Sequence, residues 1–158
     1  MPLFHSSPVK LAPDSIILPG NFGRIIKHTG NSHPLWQREM LLERIRATSY
    51  PTKPSRLDAC FACVNEQALR FYVNAMDQNS PGSMWPVLYE VEKTELDAPE
   101  HRADFNVVRP LPRLDKTAEE IAHHYWTASL WITIADAPEI RCEELITTSP
   151  LRILHQFS

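Results

Sequence analysis

Three groups of side chains in this sequence could carry chemistry. A histidine stands between a phenylalanine and two serines near the start, Phe4-His5-Ser6-Ser7. Arginines close two loop-like stretches, Arg24 in "LPGNFGR" and Arg56 after Ser55 in "PSR". Carboxylates follow later, Asp104 of "DFN" and the adjacent Glu143 and Glu144. A neutral imidazole donates from one nitrogen and accepts at the other, which suits it to a pair of hydroxyls. Arginine's planar fork suits phosphate. Neighbouring residues on a strand point to opposite faces, so one of Glu143 and Glu144 turns inward wherever the sheet is covered. An inward carboxylate is costly without a partner. It is either functional or half of a salt bridge, with Arg56 or Arg24 as the candidate cation.

Other motifs carry less. Cys60-Phe-Ala-Cys63 has CxxC spacing, but an odd step on a strand sends the two thiols to opposite faces, and no second CxxC or HxxxH completes a zinc set. Buried structural cysteines are the expectation. His123 and His124 diverge by about 100° on a helix, so they cannot share one metal. Tyr125 and Trp126 read as core, or as a platform for a ring. A metal-assisted hydrolase would need His5, His101 and Asp104 to converge within about 2 Å of one ion. There is no G-x-x-x-x-G-K-[ST], no G-x-G-x-x-G and no G-x-S-x-G, which excludes a P-loop, a dinucleotide-binding Rossmann turn and a nucleophile elbow.

The elements that must position these residues are short. Leu3 to Arg24 reads as a strand, a turn at Pro13-Asp14, the apolar run "SIILPG", then a loop. His33 to Ala47 reads as a helix with apolar residues at three- and four-residue steps and Arg and Glu on the other face. Arg56–Val64 reads as a strand buried on much of both faces. Asn65 caps a second helix that sets Ala68, Leu69 and Tyr72 on one side. After a break at Ser80–Ser83, "WPVLYEVEK" alternates as a strand. A polar loop containing "HRADFNVV" runs on to Pro112. A third helix begins at Asp115 or Thr117, with Thr117 and Glu120 at capping-box spacing, and runs to about Leu130. "EIRCEELITTSPLRIL" closes the chain as strand, turn, strand. The pattern is α+β: a compact mixed or antiparallel sheet with about three short helices packed on it.

At 158 residues the chain reads as a single domain, 1–158, able to bury a core without staples. A net charge of −3 argues against broad coating of nucleic acid, and three cysteines do not make a complete disulfide framework. No run reaches the roughly 18 apolar residues of a membrane span, and no secretory leader is apparent, so a cytoplasmic location without a membrane partner is expected.

Taken in order, several segments resemble the ADP-ribosyltransferase fold. The likeness is strongest to the small rifampin ADP-ribosyltransferase branch and to a related bacterial domain family of unassigned function. Phe4-His5-Ser6-Ser7 stands where that family has "FHG[ST]", and Ile17-Leu18-Pro19-Gly20 matches its "L.PG" segment. Phe61-Ala62-Cys63 with Glu66-Gln67-Ala68, then Tyr89-Glu90-Val91-Glu92, Asp104-Phe105-Asn106 and Pro150-Leu151-Arg152-Ile153 follow in the family's order. The family's stacking tyrosine falls at Cys60, with Tyr50 or Phe61 available to stand in.

The resemblance implies an NAD-dependent mono-ADP-ribosyltransferase that uses NAD as substrate. Its acceptor is unidentified: a protein side chain, a small molecule or a nucleic acid. It places His5 in the catalytic constellation as the clamp on the adenosine-side ribose. Asp104 or Glu143 would be the carboxylate beside the reacting ribose. Ser6 and Ser55 would add hydroxyl contacts, and Arg24 or Arg56 would meet the pyrophosphate. A toxin, an anti-defence factor and a drug-modifying enzyme would all use this cofactor half-site. The alternative is a catalytically inactive protein-binding or inhibitor module on the same fold.

Overall fold

The computed structural model describes residues 2–79, 86–108, 116–127 and 142–157. Among the described residues seven strands form one antiparallel sheet: β1 (Leu3–Ser7), β2 (Ile16–Ile17), β3 (Cys60–Cys63), β4 (Val87–Lys93), β5 (Glu100–Asp104), β6 (Glu143–Thr147) and β7 (Leu151–Phe157). Their spatial order is β2-β7-β4-β1-β3-β6-β5. Alternation of side chains gives the sheet two apolar faces. One gathers Leu3, Cys60, Ala62, Tyr89, Val91, Leu145, Leu151 and Ile153. The other packs Cys63, Leu88 and Ile146 against the helices α2 (Trp36–Ser49), α3 (Glu66–Asn79) and α4 (Ala118–Thr127). Cys60 and Cys63 therefore face opposite ways, as their spacing requires.

The sheet is nearly cut in two at its middle. β1 runs beside β4 over five residue pairs, but meets β3 at a single pair, Phe4 with Cys63. Beyond that pair the two strands part.

Several local readings hold. Asn65 Oδ1 accepts from the Ala68 amide at 2.7 Å and caps α3. Thr117 and Glu120 exchange the two hydrogen bonds of a capping box at the start of α4. The break at Ser80–Ser83, the stretch from Arg109 through Pro112 to Asp115, the helix end toward Leu130 and the strand start at Glu139–Arg141 lie outside the described residues.

Two readings are corrected. "LPGNFGR" is not a loop: Gly20, at φ 94°, precedes a helix beyond the three expected, α1 (Asn21–Thr29). The glycines serve close approach here, since a Cβ on Gly23 would lie 1.8 Å from the Leu57 carbonyl oxygen. The polar stretch before Asp104 is likewise a strand, β5, with His101 and Ala103 facing in and Glu100, Arg102 and Asp104 facing out. A histidine at an inward position masked the alternation.

Candidate functional site

Where β1 and β3 part, His5 turns into the gap. Its Nδ1 donates to the Phe61 carbonyl at 2.8 Å, which fixes the tautomer and leaves Nε2 as an acceptor. Burial lowers the His5 pKa, outweighing that hydrogen bond, so the ring is neutral near pH 7. Nε2 takes part in no hydrogen bond among the described residues.

The gap is a pocket of about 60 Å³ whose lining includes His5, Ser6, Phe61, Cys63, Tyr72 and Glu144. That is room for a few waters or one end of a ligand, against roughly 300 Å³ for a pocket that encloses a whole one. Burial, with the Glu144 charge adding to it, pushes the Tyr72 phenol up to about 12, so it keeps its proton.

Behind the pocket lies a buried ion network. Glu144, opposite Cys63 in the β3–β6 ladder, extends toward the helices. Its Oε1 accepts from Arg56 Nη1 in a very short contact and from the Tyr125 hydroxyl at 2.6 Å. Arg56 Nη1 also donates to the Tyr125 oxygen at 2.6 Å, and Arg56 Nε donates to Glu39 Oε2 at 2.9 Å. Arg38 completes the set, donating through Nη2 to Glu39 Oε1 at 2.7 Å and through Nη1 to the Val108 carbonyl at 3.2 Å. The two guanidinium groups balance the two carboxylates, which is what lets Glu39, Arg56 and Glu144 lie so deep, with Arg38 partly exposed. Burial alone would raise Glu39, but the charges and hydrogen bonds of Arg56 and Arg38 hold it below the usual carboxylate range. Desolvation pulls Arg56 down and the charges of Glu144 and Glu39 more than restore it, so it stays protonated.

Glu144 Oε2 enters none of these hydrogen bonds, and the residue lines the pocket. The pocket thus holds two unused acceptors, His5 Nε2 and Glu144 Oε2, beside the Ser6 and Tyr72 hydroxyls, and among the described residues no cation lines it. Such a site takes hydrogen-bond donors: hydroxyls, an amide NH2, or a group carrying positive charge.

The other residues expected at the site stand as follows. Ser6 reaches the pocket wall beside His5. Arg56 lies behind the pocket, 3% exposed and engaged by two carboxylates, so no fork is offered to a phosphate. Ser55 donates to Glu43 Oε2 at 2.8 Å and accepts from the Leu57 amide, capping a 3-10 turn. Arg24 is exposed on α1 and bonded to Asn21. Tyr50 shares a 2.9 Å hydrogen bond with His123 Nδ1. Asp104 Oδ1 accepts from the amides of Asn106 and Cys142, at 3.0 and 3.2 Å, and ties β5 to the chain entering β6. Glu143 pairs with Asp104 across the ladder and points away from the Glu144 face. Of the carboxylates weighed, Glu144 alone lines the pocket with His5.

His101 Nε2 donates to the Tyr125 carbonyl at 2.8 Å within an aromatic cluster with Tyr125 and Trp126. Among the described residues no group of three or more His, Cys, Asp or Glu side chains could hold a metal ion. No helix of the described residues is long and apolar enough to cross a membrane.

The sequence does not single out four participants. Tyr72 reads as packing only. Tyr125 reads as core or ring platform, not as a hydrogen-bond donor. Arg38 and Glu39 fall with the polar face of their helix, although Glu39, three residues before Leu42, is on the buried side, and that spacing is its signal.

A family model described as "Protein of unknown function (DUF2441)" matches residues 18–143. No curated protein matches the chain significantly.

Proposed function

The chain belongs to the DUF2441 family, and we propose that it is an NAD-dependent mono-ADP-ribosyltransferase working at the gap between β1 and β3. One observation carries this reading: the neutral His5 Nε2 and the Glu144 Oε2 are both unused acceptors in one pocket. The ribose of NAD presents hydroxyl donors to such a pair, and its pyridinium carries the positive charge that the Glu144 carboxylate favours. The order of segments that resemble the transferase family supports the same reading.

In the reaction the bond between nicotinamide and the ribose C1′ breaks, and nicotinamide leaves with the electron pair. Positive charge develops on C1′ and the ring oxygen, as in glycoside cleavage. The Glu144 carboxylate stabilises that charge, and the nucleophilic atom of the acceptor bonds to C1′ as its proton passes to Glu144 or to solvent. Glu144, and not Asp104 or Glu143, takes this role, because Asp104 is engaged as a backbone cap and Glu143 faces away. His5 holds ribose hydroxyls, Ser6 adds a hydroxyl beside it, and Tyr72 offers its ring to the nicotinamide. With Arg56 occupied, Arg24 is the cation left for the pyrophosphate.

A second reading has its own support. A pocket of about 60 Å³ admits only one end of a dinucleotide, and this favours an inactive protein-binding module on the same fold.

Titration with NAD by calorimetry separates the two. The transferase reading expects saturable binding that His5→Ala weakens about tenfold or more, the equivalent of 1.4 kcal/mol. It expects Glu144→Gln to retain binding while nicotinamide release falls by roughly 10² to 10³. Wild-type protein that binds no NAD at millimolar concentration would leave only the binding module.

A further inference from the structure

We infer that Tyr125 is a positioning residue for Glu144: its hydroxyl, with Arg56, confines the carboxylate to one oxygen so that the other faces the pocket. This rests on the ADP-ribosyl transfer reading for its kinetic consequence, but not for its geometry.

An isolated guanidinium meets a carboxylate as a fork, one N–H to each oxygen. Here that fork does not form. Arg56 spends Nε on Glu39 Oε2, and its Nη1 is divided between the Tyr125 oxygen and Glu144 Oε1. The Tyr125 hydroxyl donates to the same Oε1. Two donors therefore converge on Oε1, and Oε2 is left to the pocket that His5 also lines.

Tyr125 itself does not line that pocket and is fully buried, so it acts through Glu144 and not on a ligand. Its ring is fixed from two sides, edge-on to Trp126 at 4.9 Å and to His101 at 5.3 Å, with its own carbonyl accepting from His101 Nε2. The phenol is thus held in one direction by α4 and β5, with the Arg56 guanidinium over its ring at 5.1 Å. Burial raises its pKa well above 10, with the Glu144 charge adding to it, so the hydroxyl keeps the proton it donates.

The test is a double-mutant cycle on nicotinamide release from NAD, with wild type, Tyr125→Phe, Glu144→Gln and the double variant. Phenylalanine keeps the ring and its packing. A carboxylate displaced by a fraction of an ångström to 1 Å costs up to about 100-fold. Tyr125→Phe should therefore lose roughly that in kcat, with KM within about threefold and a cooperative melt retained. The double variant should be no slower than Glu144→Gln alone, because the hydroxyl has nothing left to orient. A folded Tyr125→Phe with wild-type kcat overturns the inference, and so do losses that multiply in the double variant.

If wild type neither binds NAD nor releases nicotinamide, the transferase reading fails and the positioning is read without a ligand. A Tyr125 hydroxyl proton donated to the buried Glu144 exchanges slowly and gives a proton NMR signal that Glu144→Gln removes. That signal supports the positioning role, and its absence from wild type overturns it.

Discussion

His5 and His101 show how one residue type takes two roles by environment. Both are neutral and both spend one nitrogen on a main-chain carbonyl, Phe61 for His5 and Tyr125 for His101. His5 keeps its second nitrogen for the pocket, whereas His101 is enclosed by aromatic rings. Burial lowers the His101 pKa to about 4, against 6.5 in an unfolded chain, more than its hydrogen bond to Tyr125 raises it. Between those values the unfolded state binds the extra proton, so stability falls as pH drops through that window. The loss reaches about 3 kcal/mol by pH 4. His5 contributes with the same sign. Glu39, Glu43 and Glu100, held below 4.5 in the fold, lose their contributions only as pH falls further. His101→Gln keeps a donor for the Tyr125 carbonyl and removes the titration. Urea unfolding between pH 7 and pH 4.5 should therefore show a shallower pH slope for His101→Gln than for wild type. An unchanged slope would assign the acid sensitivity elsewhere. At this scale the sequence exposed His5 as a candidate but not its tautomer, which depends on a carbonyl 56 residues away.

At the scale of elements, α1 is decided by a backbone contact. Its sequence, "NFGRIIKHT", carries a glycine in its first turn, and glycine weakens a helix by roughly 1 kcal/mol relative to alanine. The loss is offset because Gly23 lets the helix backbone touch the chain at Leu57, while Phe22 packs edge-on against Phe61 of β3 at 5.2 Å. A Cβ at Gly23 would meet main-chain atoms of Leu57 that cannot swing aside. Gly23→Ala should lower stability by about 3 kcal/mol, measured as a shift in the urea midpoint, since overpacking against backbone forces one element to move. A loss under about 1 kcal/mol would mean that α1 does not sit this close. Capping at Asn65 and Thr117 was legible because those signals lie within a single turn. The turn at Gly20 and the strand holding His101 were not, because each takes its conformation from a partner distant in sequence.

Across the whole molecule, the Arg38–Glu39–Arg56–Glu144 network joins α2 to β6 through the chain at residues 56–58, and sets the carboxylate at the central gap. Arg56→Ala leaves two buried carboxylates without their common cation and should destabilise by about 3 to 5 kcal/mol. Replacing the three innermost of its four charges, as Arg56→Met with Glu39→Gln and Glu144→Gln, leaves only the partly exposed Arg38 and should recover most of that loss in thermal unfolding. If it recovers none, packing and not charge holds this region. The sequence by itself determined the α+β class, the caps, the opposite-facing cysteines and the requirement that one of Glu143 and Glu144 turn inward and find a partner. Each of those follows from local periodicity or from the cost of burying a charge. The tertiary structure alone decided that Glu144 is the inward one, that Arg56 is committed to it and unavailable to a phosphate, and that His5 shares its pocket. Those facts depend on where β1 parts from β3 and on which helix faces the gap, contacts between residues far apart in the chain.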